Sequence, residues 1–409
     1  MKATLRIAAV VVGAACVSAA AQEPGLKELF DKHRWFELRD AIADKGKSVP
    51  ALYAGAVASA FNDVTRAESL LKRAIKEAKS PAAANEARDI LLNLYMRQGR
   101  SMDMLRLIDD AAAAEPGRND IANARTAFEA LRRAPDMRAD PGTRMPFQCE
   151  ASDEGIVLPG TVNGKEVNWL FDSAFSHVSM AESEADRLGV PVMGANASAG
   201  DYNGGASPVR SGLADRIEIG GAVLRNVPVL VFPDARPPWN DMPMGRRGAI
   251  GLPAVLAVGG MRIMKGQFCQ LDPNPKRAPG GASNLAFDGM TPIARATYAG
   301  EPLDVVIDTG NQGGTQLWNR FSMDFPDLIA GGTKGTKKVT QIGGSTDREI
   351  VILPELQLMI GGFAGVLKPA NVFASPVGDA NMHANIGLDV LMEAHEIVFD
   401  FRTMTLTLR

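Results

Sequence analysis

Leu303-Asp304-Val305-Val306-Ile307-Asp308-Thr309-Gly310 is the stretch that decides how this chain folds. Three β-branched residues in a row run into a carboxylate, a hydroxyl and a glycine. Such a run reads as a strand buried on both faces. An Asp closing a buried strand is costly unless it is hydrogen-bonded or functional. A second copy, Val167-Asn168-Trp169-Leu170-Phe171-Asp172-Ser173-Ala174, lies 136 residues earlier, counted from Asp308 back to Asp172. Alone, Asp-Thr-Gly is an ordinary turn, and its weight comes from what repeats around it. Asn163-Gly164 and Ala299-Gly300, both hairpin signals, each put their Gly 8 residues before the Asp. Ile250-Gly251-Leu252 and Ile386-Gly387-Leu388 place theirs 79 residues after it. In between, Gly204-Gly205 parallels Gly343-Gly344 and Gly220-Gly221 parallels Gly361-Gly362, at offsets of 139 and 141. That drift is what loops of different length produce. The C-terminal two thirds is an internal duplication.

The rest of the 409 residues frames that pair. A net charge of −3 without basic patches argues against nucleic acid. No apolar run reaches the roughly 18–20 residues that span a bilayer. Residues 1–21 carry Lys2 and Arg6, an apolar core from Ile7 to Ala15, and Ala19-Ala20-Ala21 before Gln22, the parts of an export signal. Export to a periplasm or beyond the cell is therefore expected. A lipoprotein signal using Cys16 is the weaker alternative, since Gly13-Ala14-Ala15 lacks a branched apolar residue. Cys149 and Cys269 then enter an oxidising compartment at the two ends of the first repeat. They are expected as a disulfide, with two unpaired buried thiols as the alternative.

Residues 22–133 have a helical texture. Ala67, Leu70, Leu71, Ala74, Ile75 and Ala78 fall on one helical face. Ser80-Pro81 starts a further helix, and Gln98-Gly99-Arg100 and Glu115-Pro116-Gly117 end others. The pattern resembles a degenerate tetratricopeptide-type hairpin array, which would bind a protein partner or pack on its neighbour; a generic helical domain is the alternative. Residues 134–146, with Pro135, Pro141 and Pro146, read as a linker. The expected plan continues with lobe one at 147–271, an inter-lobe linker at 272–290 and lobe two at 291–409. The fold class is multidomain: α-helical hairpins followed by a bilobal all-β domain.

Two Asp residues at equivalent places in two lobes can face each other across a pseudo-two-fold axis. Close carboxylates cannot both ionise, so one keeps a proton. Together they can activate a water and polarise a carbonyl without metal or cofactor. Here the chain resembles the aspartic peptidases, in particular a bacterial retropepsin-like family fused into a pepsin-style bilobal monomer. The resemblance covers about residues 147–409. It rests on Phe171-Asp172-Ser173-Ala174 and Ile307-Asp308-Thr309-Gly310, on Ala249-Ile250-Gly251 and Asn385-Ile386-Gly387, and on the closing stretch from Glu396 to Leu408. It implies catalytic Asp172 and Asp308, with Ser173, Thr309 and Gly310 supporting them and Gly251 and Gly387 as the family glycines. It also implies Gly-rich flaps over a peptide substrate, at Tyr202, Gly204 and Gly205 and at Gly343 and Gly344. Three positions depart from the family: Ala174 stands for Gly, and Phe175 and Asn311 for small residues. A methyl at 174 is expected to crowd the opposing carboxylate, and Asn311 to bond an Asp and alter its proton affinity. The rival reading is a peptide-binding module with weakened catalysis. His33, His177, His383 and His395 show no metal-ligand spacing, and His177 is expected in a loop or on the surface. No Gly-x-Ser-x-Gly elbow occurs.

Overall fold

The computed structural model describes residues 25–45, 49–140, 145–200, 205–271, 283–341 and 344–409. The export signal expected at 1–21 lies outside these residues. An α-helical region is followed by two β-rich lobes. Helices at Leu26–Asp31, Trp35–Lys45, Ala51–Ala60, Val64–Glu77, Pro81–Arg97, Ser101–Ala114 and Asn119–Phe128 stack neighbour on neighbour. Ser80 begins Pro81–Arg97 by accepting the Ala83 N–H on its Oγ at 3.2 Å, which satisfies one of the free donors of a helix start. Leu71, Leu91, Leu94 and Leu105 fill the layer between helices.

Each lobe grows from a hairpin. In lobe one, Gly155–Val162 turns into Lys165–Phe171 through Asn163 (φ 50°) and Gly164 (φ 81°). In lobe two, Thr291–Tyr298 turns into Glu301–Ile307 through Ala299 (φ 50°) and Gly300 (φ 89°). Two left-handed central residues make the turn whose twist matches the flanking strands. In lobe two the second strand is buried on both faces from Leu303 to Ile307, which is why it reads as an apolar run, whereas in lobe one Val167, Trp169 and Phe171 are buried and Asn168 between them is exposed. In each lobe this strand pairs in parallel with a short strand from far ahead in the chain, Gly248–Ile250 or Ala384–Ile386. That short strand also pairs antiparallel with Val178–Ala181 or Gln316–Leu317. A short helix follows it in both lobes, Leu252–Ala257 and Leu388–Leu391. The pairing scheme is thus present twice.

The lobes differ where the sequence offset drifts. Lobe one has one unbroken strand, Ala206–Ile219, which turns at Gly220-Gly221 into Ala222–Phe232. In lobe two Pro354-Glu355 splits the counterpart into Gly344–Leu353 and Leu356–Ile360, because proline has no N–H for the ladder. By strand pairing Arg210 already corresponds to Val351, an offset of 141, so the step from 139 falls earlier in the hairpin than this break.

A four-stranded sheet joins the lobes in the order Phe268–Leu271, Gly260–Met264, Glu396–Asp400, Thr405–Leu408. Its central pair, Gly260–Met264 against Glu396–Asp400, brings one strand from each lobe. Both stretches expected as linkers contain strands. Arg138–Ala139 pairs with Leu224 and Arg225, and Leu285–Asp288 pairs with Thr291–Tyr298. Leu285, Ala286 and Phe287 are buried, a short apolar run that the Pro- and Gly-rich residues before it obscured. Cys149 and Cys269 form a disulfide with a Cα–Cα distance of 5.7 Å, next to a two-way backbone pairing of Phe147 with Cys269.

The helical region packs on both lobes. Glu37 holds Arg295 through bonds of 3.0 and 2.8 Å. The fully buried Arg97 donates to Ser59 O at 2.9 Å and to Gly289 O, with its guanidinium 4.7 Å from the Phe287 ring centre. Asn123 bonds Ser198 in both directions at 2.8 Å. His33, Asp288 and Asp379 bring ligand-type atoms within 4.8 Å of one another, away from the cleft described next. Asp288 there accepts from Trp35 Nε1 at 3.1 Å and contacts His33 Nδ1 at 3.0 Å.

Candidate active site

Asp172 and Asp308 stand where the two buried strands end. Each is fixed by its own backbone: Asp172 N–H donates to Ile250 O at 3.1 Å and Asp308 N–H to Ile386 O at 3.0 Å. The residues that follow lock together across the lobes. Ser173 N–H donates to Thr309 Oγ1 at 2.9 Å, and Thr309 N–H to Ser173 Oγ at 3.0 Å. The hydroxyls then donate onward, Ser173 Oγ to Ile307 O at 2.7 Å and Thr309 Oγ1 to Phe171 O at 2.9 Å. Both side chains are buried, and every donor in the set finds an acceptor, as a buried polar group requires.

Both carboxylates line one cavity of about 730 Å³ between the lobes. Asp172 Oδ1 accepts the N–H groups of Ala174 and Phe175, each at 3.0 Å. Asp308 Oδ1 accepts the Gly310 N–H at 3.0 Å, while its Oδ2 accepts Asn385 Nδ2 at 2.8 Å. Burial, and then the neighbouring Asp308, push the Asp172 carboxyl up to about 8 against its two N–H donors. Burial also raises Asp308, opposed first by the Asn385 bond and then by backbone N–H groups. Facing carboxyls of this kind share a proton and titrate as a pair.

Gly310 lies flat against the opposing carboxylate: a Cβ there would sit 2.3 Å from Asp172 Oδ2. Ala174, its counterpart, is seated by its N–H bond to Asp172 and packs, half-buried, against the apolar cluster that includes Val306 and Trp318. Gly251 and Gly387 support the two loops from behind. A Cβ on Gly251 would meet His177 O at 2.2 Å and Phe175 O at 2.5 Å, and one on Gly387 would meet Asn311 O at 2.7 Å. Phe175 forms part of the cavity wall with Phe232 and Trp239, its ring edge-on to Phe232 at 6.1 Å. Gly205 and Gly344 sit at the ends of hairpins whose strands reach the cavity through Ala199 and Gly200 and through Lys337 to Thr340. Tyr202, Gly204 and Gly343 lie outside the described residues.

Two expectations are corrected here. The Asn311 side chain does not bond Asp308. Its amide donates to Gly314 O at 3.1 Å and to Asn385 Oδ1 at 3.3 Å, and Asn385 is the residue that reaches Asp308. His177 lies in a loop, one of the two expected placements, but not on the surface: it is buried, stacks on Phe128 at 5.3 Å, and has Ser176 Oγ 2.9 Å from its Nδ1. Burial pulls it down to about 4, so it is neutral near pH 7. Its shelter comes from the helical region, which local sequence could not reveal. Asn385 was missed as a site residue although a signal existed. At the offset of 136, Ala249 matches Asn385 and Phe175 matches Asn311. Thr315 and Asp389 were also missed. Thr315 donates to Asp389 at 2.7 Å and accepts the Gly387 N–H at 3.0 Å.

Comparison with solved structures gives distant likenesses. A retropepsin-like aspartic protease from Rickettsia conorii is 13% identical, over 34% of this chain and 94% of that one, with a TM-score of 0.23. Conglutin gamma, a basic 7S globulin from lupine seeds, is 11% identical over 66% and 94%, with a TM-score of 0.36. Basic 7S globulin from soybean is 9% identical over 66% and 94%, with a TM-score of 0.37. No curated protein matches the chain. The aspartyl protease family model matches residues 158–254, the stretch holding Asp172, Ser173 and Gly251, and over that stretch the chain is similar to that family.

Proposed function

We propose that this chain is an exported aspartic-type endopeptidase with Asp172 and Asp308 as its catalytic pair. The observation that carries the reading is the seating of both carboxyls on the floor of one cavity, at the ends of strands locked by the reciprocal Ser173–Thr309 bonds. A water between the carboxyls gives its proton to the ionised one as its oxygen attacks the peptide carbonyl carbon. The protonated carboxyl passes its proton to the carbonyl oxygen, leaving a neutral gem-diol and a pair that still holds one proton. Collapse of the diol breaks the C–N bond, a proton goes to the leaving nitrogen, and the acid and amine products depart. An extended peptide fits between the two hairpins by strand-type pairing. The helical module at 22–133 steadies lobes at 147–271 and 291–409, a role supported by the Glu37–Arg295 and Asn123–Ser198 contacts. The Cys149–Cys269 bond agrees with an oxidising, extracytoplasmic compartment.

The test is digestion of a mixed peptide library from about pH 3 to about pH 8, beside Asp172→Asn and Asp308→Asn. Cleavage by the native chain and by neither variant is expected. Cleavage surviving in either variant would overturn the pair. Phe175 in the cavity wall favours a second reading, a cleft that holds peptides without cutting them, which would show as peptide binding with no cleavage at any pH.

A further inference from the structure

The duplication gives a position-by-position test of how alike the two carboxyls are, and two positions around them part company together. Behind Asp308 stand Asn311 and Asn385; the matching positions behind Asp172 are Phe175 and Ala249. The polar pair is connected. Asn311 Nδ2 donates to Gly314 O and to Asn385 Oδ1, which fixes how the Asn385 amide is turned. Its Nδ2 therefore faces Asp308 Oδ2, at 2.8 Å. The apolar pair offers no side-chain donor, and among the described residues the donors to Asp172 are backbone N–H groups, both on Oδ1.

We propose that Asn385, aimed by Asn311, is a positioning residue that fixes Asp308 as the ionised member of the pair and leaves the shared proton on Asp172. This rests on the peptidase reading and deepens it by assigning the roles. Asp308 takes the proton of the attacking water, and Asp172 gives its own to the carbonyl oxygen. A charge-assisted donor favours the carboxylate form it touches, and an apolar surround disfavours charge. Burial raises both carboxyls, so the assignment stands on where the side-chain donor is placed. Among the described residues, the other charged side chains lining the cavity are Lys337 and Lys338 on the lobe-two hairpin. Lys337 lies towards Asp389 rather than between the carboxyls. Behind Asp172, His177 is neutral above about pH 4 and adds no charge.

The experiment reads protonation directly, so that it stands apart from whether the chain cleaves anything. The full chain is labelled with 13C at the aspartate carboxyl carbons, and the two signals are assigned with Asp172→Asn and Asp308→Asn. They are then titrated in the native protein, in Asn385→Ala, in Asn311→Ala and in Ala249→Asn. In the native protein Asp308 is expected to ionise first. Loss of the Asn385 donor should raise the Asp308 midpoint by about one pH unit, the size of one hydrogen bond to a charged group. Asn311→Ala should raise it less, and a donor from Ala249→Asn should lower the Asp172 midpoint. Where cleavage is measurable, the acid limb of the kcat/KM profile should move with the Asp308 midpoint. If Asn385→Ala does not fold, Asn311→Ala and Ala249→Asn carry the test. Asp172 ionising first, or midpoints unmoved in these variants, would overturn the assignment. An inert but normally titrating chain would overturn the peptidase reading and leave this one standing.

Discussion

At the scale of single residues, the site is a compromise between folding and chemistry. Asp172 titrates at about 8 in the folded chain against an ordinary 3.8, so folding takes up a proton between those values. A raised carboxyl of this kind supports the fold below about pH 4 and withdraws support as pH climbs towards 8. Asp172→Asn, which never ionises, is therefore expected to abolish cleavage while raising the melting temperature at pH 7. A gain of about 2–4 °C is expected, vanishing near pH 4; calorimetry at the two pH values checks it. Gly310 makes the converse case. A methyl 2.3 Å from Asp172 Oδ2 must displace that carboxyl, so Gly310→Ala should lose activity while circular dichroism stays native. Both aspartates and the Ser-Thr pair were legible as sequence because they repeat. Asn385 left a fainter signal, a departure from the repeat shared with Asn311, which lies 74 residues away.

At the scale of elements, each lobe depends on a strand pinned in parallel to a segment far ahead and backed by a glycine. Gly251→Ala would drive a methyl into the His177 and Phe175 carbonyls. It is expected to destabilise by about 1–3 kcal/mol or more, read as an earlier denaturant midpoint. Ser173→Ala leaves the buried Thr309 N–H without its partner. It should cost about 1–3 kcal/mol, and Thr309→Ala added to it should cost less than it does alone, since the bonds form one set. The hairpins were readable from Asn163-Gly164, whose residue types suit the left-handed turn, and more weakly from Ala299-Gly300, where only the glycine does and Ala299 still adopts φ 50°. The strand Leu285–Asp288 was not, since four residues beside a Gly- and Pro-rich run carry too little period to register. How the helices sit on the lobes was equally hidden, because contacts such as Glu37–Arg295 join residues 258 apart.

At the scale of the whole molecule, the acid range open to such a site is limited by groups away from its floor. Burial holds His177, and burial with Arg320 holds His383, at about 4, below the usual 6.5. Their contribution to the fold is whole above 6.5 and is lost as pH falls through 4. For Glu37, burial is outweighed by Arg295 and Arg34, which pull it to about 2 from 4.5. Its contribution goes as pH falls below 4.5 towards 2, loosening the helical region from lobe two. Between pH 6.5 and 4 these losses run against the gain from Asp172, so the check is by variant. Acidification from 6.5 to 4 should lower the melting temperature less in His177→Phe than in the native chain, and acidification from 4.5 to 2 less in Glu37→Gln. The sheet shared by the lobes has a further consequence. Gly260–Met264 finds its neighbour in Glu396–Asp400, so neither lobe completes its own edge. Two polypeptides, one ending at Leu271 and one starting at Ser283, should each be soluble only in the other's company. Mixed, they should reassemble into a nicked heterodimer, and the duplicated chain would then behave as the two-subunit protein that its symmetry implies.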